Sequence, residues 1–227
     1  MFIISSTAAT VLRYPLGFRV GPIGPRPARQ LELYEFETCP FCRKVREALT
    51  MLDLDVLVRP SPRGGTRFRP EALARGGKAQ FPLLVDPNVD VLIYESDAII
   101  AHLYAHYGSG KPPLGLRLGP IGNMTSGIAS LVRSGSGRAA RPSRGAEQPL
   151  ELWSFESSPY CRRVREEMCE LEVPYVLHNV GADSARRPAF RARAGKIQVP
   201  YLEDPNTGTH MFESRNIVRY LARTYGA

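Results

Sequence analysis

Apolar and polar residues alternate through LELYEF, residues 31–36, and a period of two predicts a short strand. Beyond Pro40 the period lengthens. VREALTML, 45–52, spaces its apolar side chains for one face of a helix, and a proline suits a helix's first turn. DVLVRP, 55–60, predicts a second strand, and residues 67–76 a second, amphipathic helix. PLLVD, a turn at Pro87-Asn88 and VLIYE predict a hairpin, and residues 95–107 a closing helix.

The pattern then starts again. LELWSF at 150–155 matches LELYEF, PYLED and HMFE form a hairpin around Asn206-Thr207-Gly208, and residues 213–225 close the copy with a helix. FPLLVDPNVDVLIYESDAII at 81–100 matches VPYLEDPNTGTHMFESRNIV at 199–218. Cys42 and Cys161 lie 119 positions apart, and Pro82 and Pro200 lie 118 apart, so one residue separates the two spacings. A repeat of this kind decides the architecture. The chain divides into an arm, 1–30, a first domain, 31–108, a linker, 109–149, and a second domain, 150–227. PLGFRVGPIG at 15–24 recurs as PLGLRLGPIG at 113–122, which makes the arm part of a repeat.

Between the copies, residues 98–146 hold no acid. RSGSGRAARPSRGAEQ, 133–148, reads as a flexible basic linker, with an anion-docking tail as the alternative. The 227 residues carry a net charge of +8 and are 43% apolar, ordinary for chains that bury a core. The basic residues are not interleaved with aromatics, which argues against a nucleic-acid reader. No apolar run approaches the about 20 residues that cross a bilayer; contact with a membrane surface stays open. The first 30 residues carry four arginines and no acid, as targeting peptides do. The recurrence of 15–24 confines any such signal to residues 1–12 or to chain upstream.

The strongest chemical signal is Cys39-Pro-Phe-Cys42 at a helix start. A sulfur there meets the positive end of the helix dipole, which favours the thiolate. Arg43 and Lys44 are expected to add positive charge. Cys42, one turn in, is placed to resolve a mixed disulfide on Cys39. Zinc would need two more ligands, which no second CxxC or close His pair supplies. An inert thiol pair is the other alternative. Metal ligands are therefore not expected, His102 and His106 included, since HLYAH lacks a third ligand.

The order β-α-β-α-β-β-α around a CxxC is that of a thioredoxin-like fold, here in tandem. Phe81-Pro82 and Val199-Pro200, each opening a strand, are candidate cis peptides that turn backbone toward a ligand. Glu95 and Ser96, with Glu213 and Ser214 in the second copy, open helices whose first amides can bind an anion or simply be capped. In SSPYC the attacking position is Ser158. That copy is an inert scaffold, a binding site, or a lone redox Cys161. Cys169 and Trp153 read as core.

CPFCRKVREAL with FPLLVDP and YESDAI resembles the glutaredoxin-like N-terminal domain of glutathione transferases, and is similar also to the glutaredoxin-type prostaglandin E synthase. The duplication and the stretches PRPARQLELYEFETCPFCRKVRE and VPYLEDPNTGTHMFES resemble a plant and algal family of thioredoxin-fold proteins. These carry tandem glutathione-transferase N-terminal domains and are directed to chloroplasts. The resemblance implies glutathione as the ligand, Cys39 and Cys42 as the redox pair, Phe81-Pro82 holding the glutathione backbone and Glu95-Ser96 its γ-glutamyl end. Ser158 would favour a bound glutathione thiolate, with Val199, Pro200, Glu213 and Ser214 keeping the binding half. No helical C-terminal transferase domain follows the first copy, which favours small disulfides or protein thiols as substrates. Two functional classes stay open: a glutathione-linked thiol–disulfide oxidoreductase, and a non-catalytic interaction or assembly module. Isomerisation of a prostaglandin-like endoperoxide rests on analogy alone.

Overall fold

In the computed structural model, residues 16–117 and 136–227 are described; the targeting signal expected within 1–12 and part of the linker fall outside them. The first copy runs β1 (Leu31–Glu35), α1 (Pro40–Met51), β2 (Val56–Pro60), α2 (Phe68–Gly76), β3 (Leu83–Asp86), β4 (Val91–Tyr94) and α3 (Ser96–Tyr107), with a single turn, α4 (Leu114–Arg117), after it. The second repeats the order as β5 (Leu150–Ser154), α5 (Pro159–Glu170), β6 (Tyr175–Asn179), α6 (Arg187–Ala194), β7 (Tyr201–Asp204), β8 (Thr209–Phe212) and α7 (Ser214–Tyr225).

Local chemistry accounts for the boundaries. Cys39 and Ser158 each cap a helix with a proline in its first turn. Gly77 and Gly195 end α2 and α6 in the left-handed region, at φ 75° and 81°, which a glycine adopts without steric cost. Within a copy, β1 pairs in parallel with β2 and antiparallel with β3. Leu31 and Leu33 pack toward α1 and α3 against Val45, Leu49, Ile99 and Leu103. Tyr34 points to the other face, with Phe68, Ala72 and Leu83.

The repeat does not make two separate beads. β2 and β6 pair antiparallel, joining both copies into one sheet of order β4-β3-β1-β2-β6-β5-β7-β8. Leu57 faces Val176, the corresponding position of the other copy, so a local two-fold relates them. β1 and β5 therefore run in opposite directions, and their cysteine-motif loops leave the sheet at opposite ends.

Behind the shared edge lies a buried layer of charge. Arg46 reaches the Glu35 carboxylate, Glu156 at 2.9 Å and Glu37 at 3.3 Å. Arg165 reaches Glu37 at 3.1 Å and Glu156 at 2.7 Å. Arg43 bonds Glu47 at 3.2 Å. These side chains are all buried. Isolated, each charge would be costly to bury; mutual bonding is what makes the layer tolerable.

The linker expected over 133–148 is, from residue 136, a hydrogen-bonded strap. Ala140 N–H donates to Arg63 O of the first copy at 2.9 Å, then Arg141 and Arg144 N–H bond Glu170 O and Tyr225 O of the second. Arg67 also holds Ser143 through its side chain. The arm before β1 does the same in mirror order: Val20 N–H donates to Ala182 O, then Gly21 and Gly24 to Met51 O and Tyr107 O. Gly17 and Gly137 open the two straps at φ 69° and 75°, where an added Cβ would lie 2.9 Å from the Cβ of Glu156 and of Glu37. The structural counterpart of 17–24 is thus 137–144. Backbone bonds and one glycine define the strap, and those tolerate a change of side chains that hides it from a sequence comparison.

Candidate active site

Cys39 stands at the cap of α1 with extended backbone, φ −67° and ψ 121°, and its Sγ accepts the Cys42 N–H at 3.3 Å. The sulfur lies 4.0 Å from the Phe81 carbonyl oxygen. The Phe81-Pro82 peptide is cis. The Phe36 ring meets Phe81 edge-on, centroids 6.3 Å apart, and the Arg69 guanidinium lies 4.8 Å from the Phe81 centroid. Phe41, between the cysteines, is exposed. Cys39 itself is 3% exposed.

The two thiols differ in acidity. Cys39 is held below the ordinary thiol value, first by the hydrogen bond from the Cys42 thiol and then, against burial, by the Cys42 and Phe41 amides. Burial pushes Cys42 well above it, and the Cys39 hydrogen bond adds to that. An acidic outer sulfur and a protonated inner one are the division that thiol–disulfide exchange uses. Arg43 and Lys44 take a part other than the one expected. Arg43 bonds Glu47, and the fully buried Lys44 donates to Asp97 at 2.5 Å, tying α1 to the start of α3.

At the rim, Glu95 holds φ 68° before α3 and its carboxylate accepts the Gln80 amide. No side chain caps α3, so its first amides remain available to an anionic group beside Ser96. Phe81, Pro82, Glu95 and Ser96 are thereby set around one helix end and one cis peptide. Clefts of 440 Å³ beside Tyr201 and Arg193, and of 340 Å³ beside Arg26 and Asp55, hold neither cysteine motif.

The second copy repeats the cap, the cis peptide and the rim contact. Ser158, φ −71° and ψ 120°, accepts the Cys161 N–H through Oγ at 3.3 Å. Val199-Pro200 is cis, Glu213 holds φ 71° before Ser214, and Gln198 donates to Glu213 at 2.6 Å. Tyr160 is exposed where Phe41 is. Cys161 is fully buried and raised by that burial, which disfavours thiolate chemistry from it alone.

A family model of the glutathione S-transferase N-terminal domain matches twice, over residues 33–113 and 152–227. The chain belongs to that family. Each match covers one copy, including its cysteine-motif loop, cis-proline and closing helix. No curated protein matches the chain. Among solved structures, a glutathione transferase of Bombyx mori, BmGSTD1, is similar at 26% identity and TM-score 0.34 over 38% of this chain and 39% of its own. The trimeric glutathione transferase TDR1 of Leishmania is similar at 13% identity and TM-score 0.31 over 87% of this chain and 67% of its own. The chain thus spans about two fifths of the silkworm enzyme's length.

Residues outside the motifs also matter to the family frame. Trp153 stacks on Phe190 in a small aromatic core of the second copy. Cys169 donates to Gly137 O at 3.4 Å and accepts Glu37 N–H at 3.5 Å, fastening the strap to the interface. His102 bonds Asp86 at 2.8 Å, and among the described residues no group of three His, Cys, Asp or Glu could hold a metal ion. Sequence reasoning missed the buried arginines and glutamates. Their signal was present as CRKVRE and CRRVRE, an i,i+3 arginine pair conserved between copies, but charged residues in a helix read first as a solvated face.

Proposed function

We propose that the chain is a glutathione-linked thiol–disulfide oxidoreductase whose first copy carries the chemistry. The observation that supports it most is the Cys39 sulfur, made acidic at a helix cap, beside the Phe81 carbonyl and the cis peptide, with a buried thiol one turn inside. The Cys39 thiolate attacks the glutathione sulfur of a glutathione-containing disulfide, one new S–S bond forms and the other sulfur leaves as a thiolate that takes a proton from water. Cys42 then attacks Cys39, expels glutathione and leaves a Cys39–Cys42 disulfide, which two further glutathione thiols reduce. Phe81 pairs with the glutathione backbone, and Glu95 with Ser96 holds its γ-glutamyl end. Small disulfides and protein thiols are the substrates.

The second copy binds glutathione at Ser158, Val199-Pro200 and Glu213-Ser214, or serves as scaffold. The continuous sheet and shared ion layer favour the scaffold role. The basic, acid-free first 30 residues and the resemblance of the chain to a chloroplast family support a plastid location; attaching the N-terminal region to a fluorescent protein tests it. Mass spectrometry of the Cys42→Ser variant treated with oxidised glutathione tests the activity. A glutathione adduct on Cys39 is expected, and its absence would leave the assembly-module reading, in which Cys39→Ser keeps cellular function while loss of the second copy abolishes it.

A further inference from the structure

A β-turn carries each cysteine motif, and each turn is gripped by the opposite copy. Phe36, Glu37, Thr38 and Cys39 form the first, closed by the Cys39 N–H, which donates to Phe36 O at 3.0 Å. Glu37, at its second position, is bonded through every polar group it has. Arg46 of its own copy donates to its carbonyl at 3.1 Å and lies 3.3 Å from its carboxylate. The second copy adds a double grip. Arg165 Nε and Nη2 donate to the Glu37 carboxylate, both at 3.1 Å, and the Glu37 N–H donates to Cys169 Sγ at 3.5 Å. The second turn, Phe155 to Ser158, is closed at 3.3 Å and held the other way round. Arg46 Nε donates to the Glu156 carboxylate at 2.9 Å, and the Glu156 N–H donates to Thr50 Oγ1 at 3.2 Å. Glu37 and Glu156, Arg46 and Arg165, and Thr50 and Cys169 each stand 119 positions apart, so the exchange of supports obeys the local two-fold.

We propose that the second copy completes the first site, with Arg165 and Cys169 as positioning residues that hold the turn presenting Cys39 at the cap of α1. The inference rests on the thiol–disulfide reading above, and it gives the copy without an attacking sulfur a task. Cys39 Sγ accepts the Cys42 N–H at 3.3 Å and lies 4.0 Å from Phe81 O, and both distances depend on where the turn sets its last residue. Glu37 is buried, so its carboxylate and its N–H have no water to turn to. Without a partner either group pulls the turn away to find another. A displacement of about 1 Å takes the cap contact beyond hydrogen-bond reach and the sulfur off its line of attack. The groups that act on the Cys39 thiol belong to its own copy: Cys42, the Cys42 and Phe41 amides, and Glu35. Arg165 and Cys169 act through Glu37 and touch no reacting atom.

The test takes the full chain carrying Cys42→Ser as parent and follows Cys39 by mass spectrometry with two reagents, iodoacetamide across a range of pH and oxidised glutathione. Cys169→Val keeps a small buried side chain but removes the acceptor of the Glu37 N–H. It is expected to move the midpoint of Cys39 alkylation to higher pH and to slow both reactions at pH 7 by roughly three- to tenfold. Cys169→Thr supplies the hydroxyl that Thr50 offers the other turn, and should stay within about twofold of the parent. Thr50→Val removes the matching bond from the second turn and should leave Cys39 within about twofold, which separates a grip on the first turn from general loosening of the interface. Glu37→Gln with Arg165→Met removes the carboxylate grip and should act as Cys169→Val does. Circular dichroism shows which variants fold, and the Cys169→Val and Cys169→Thr pair decides if the double variant does not. A folded Cys169→Val with the midpoint and rates of the parent overturns the proposal, as does an equal effect from Thr50→Val. If the parent takes no glutathione while alkylation keeps the expected order, the thiol–disulfide reading has failed and the positioning role stands.

Discussion

Truncating Arg165 to Ala is the sharpest test of what holds the two copies together. Its guanidinium is 1% exposed and bonds Glu37 at 3.1 Å, Glu156 at 2.7 Å and the Ser154 hydroxyl at 3.1 Å. Removing it leaves two carboxylates buried with only part of their compensation. Breaking a buried ion pair from one side costs about 3–5 kcal/mol, far more than the net value of the intact pair. For a domain of this size that is a fall in Tm of roughly 6–20 °C. Urea unfolding is followed by circular dichroism and by Trp153, the single tryptophan, which is buried in the second copy. Arg219→Ala, at an exposed position of α7, is the control and should stay within about 0.5 kcal/mol. Replacing Glu37 by Gln together with Arg165 by Met should cost less than the two changes summed. A stability for Arg165→Ala within about 1 kcal/mol of the wild type would refute the reasoning, because no uncompensated buried charge could then have been left behind.

Three further outcomes follow from the same geometry. Alkylation of Cys39 by iodoacetamide in the Cys42→Ala variant should titrate at higher pH than in the intact pair, because the Cys42 hydrogen bond, the largest influence holding the Cys39 thiol low, is gone. Ser158→Cys should create a second thiol that takes a glutathione adduct, since cap, cis peptide and rim are already in place; a thiol that stays unmodified under conditions that modify Cys39 would show that the second frame is not a binding frame. Gly137→Ala should cost about 1–3 kcal/mol in urea unfolding, because φ 75° strains any side chain and its Cβ would lie 2.9 Å from Glu37 Cβ. Pro142→Ala, without such a contact, should cost less.

Much of each copy was legible residue by residue. Alternation, proline placement and turn chemistry act within a few residues, so LELYEF, the CPFC helix and the DPN hairpins declare themselves locally. The cis-proline pairs and the glutamate-serine helix starts recur at matching spacings, which is why both could be read in advance as cis peptides and helix starts. Arg43 and Lys44 could not, because a side chain four atoms long beside a thiol can point to it or away. Here two acids, the buried Glu47 and the exposed Asp97, take both cations.

The sequence by itself determined the duplication, the order of elements in each copy, and which copy retains the attacking sulfur. Each of these depends on local pattern or on residue identity. Only the tertiary structure decided that the copies share one sheet through β2 and β6, that the stretch from 136 is a strap, and that Arg46 and Arg165 each bond a buried carboxylate of the other copy. Those facts depend on which backbone edge and which charge find partners far along the chain, and no local pattern encodes that choice.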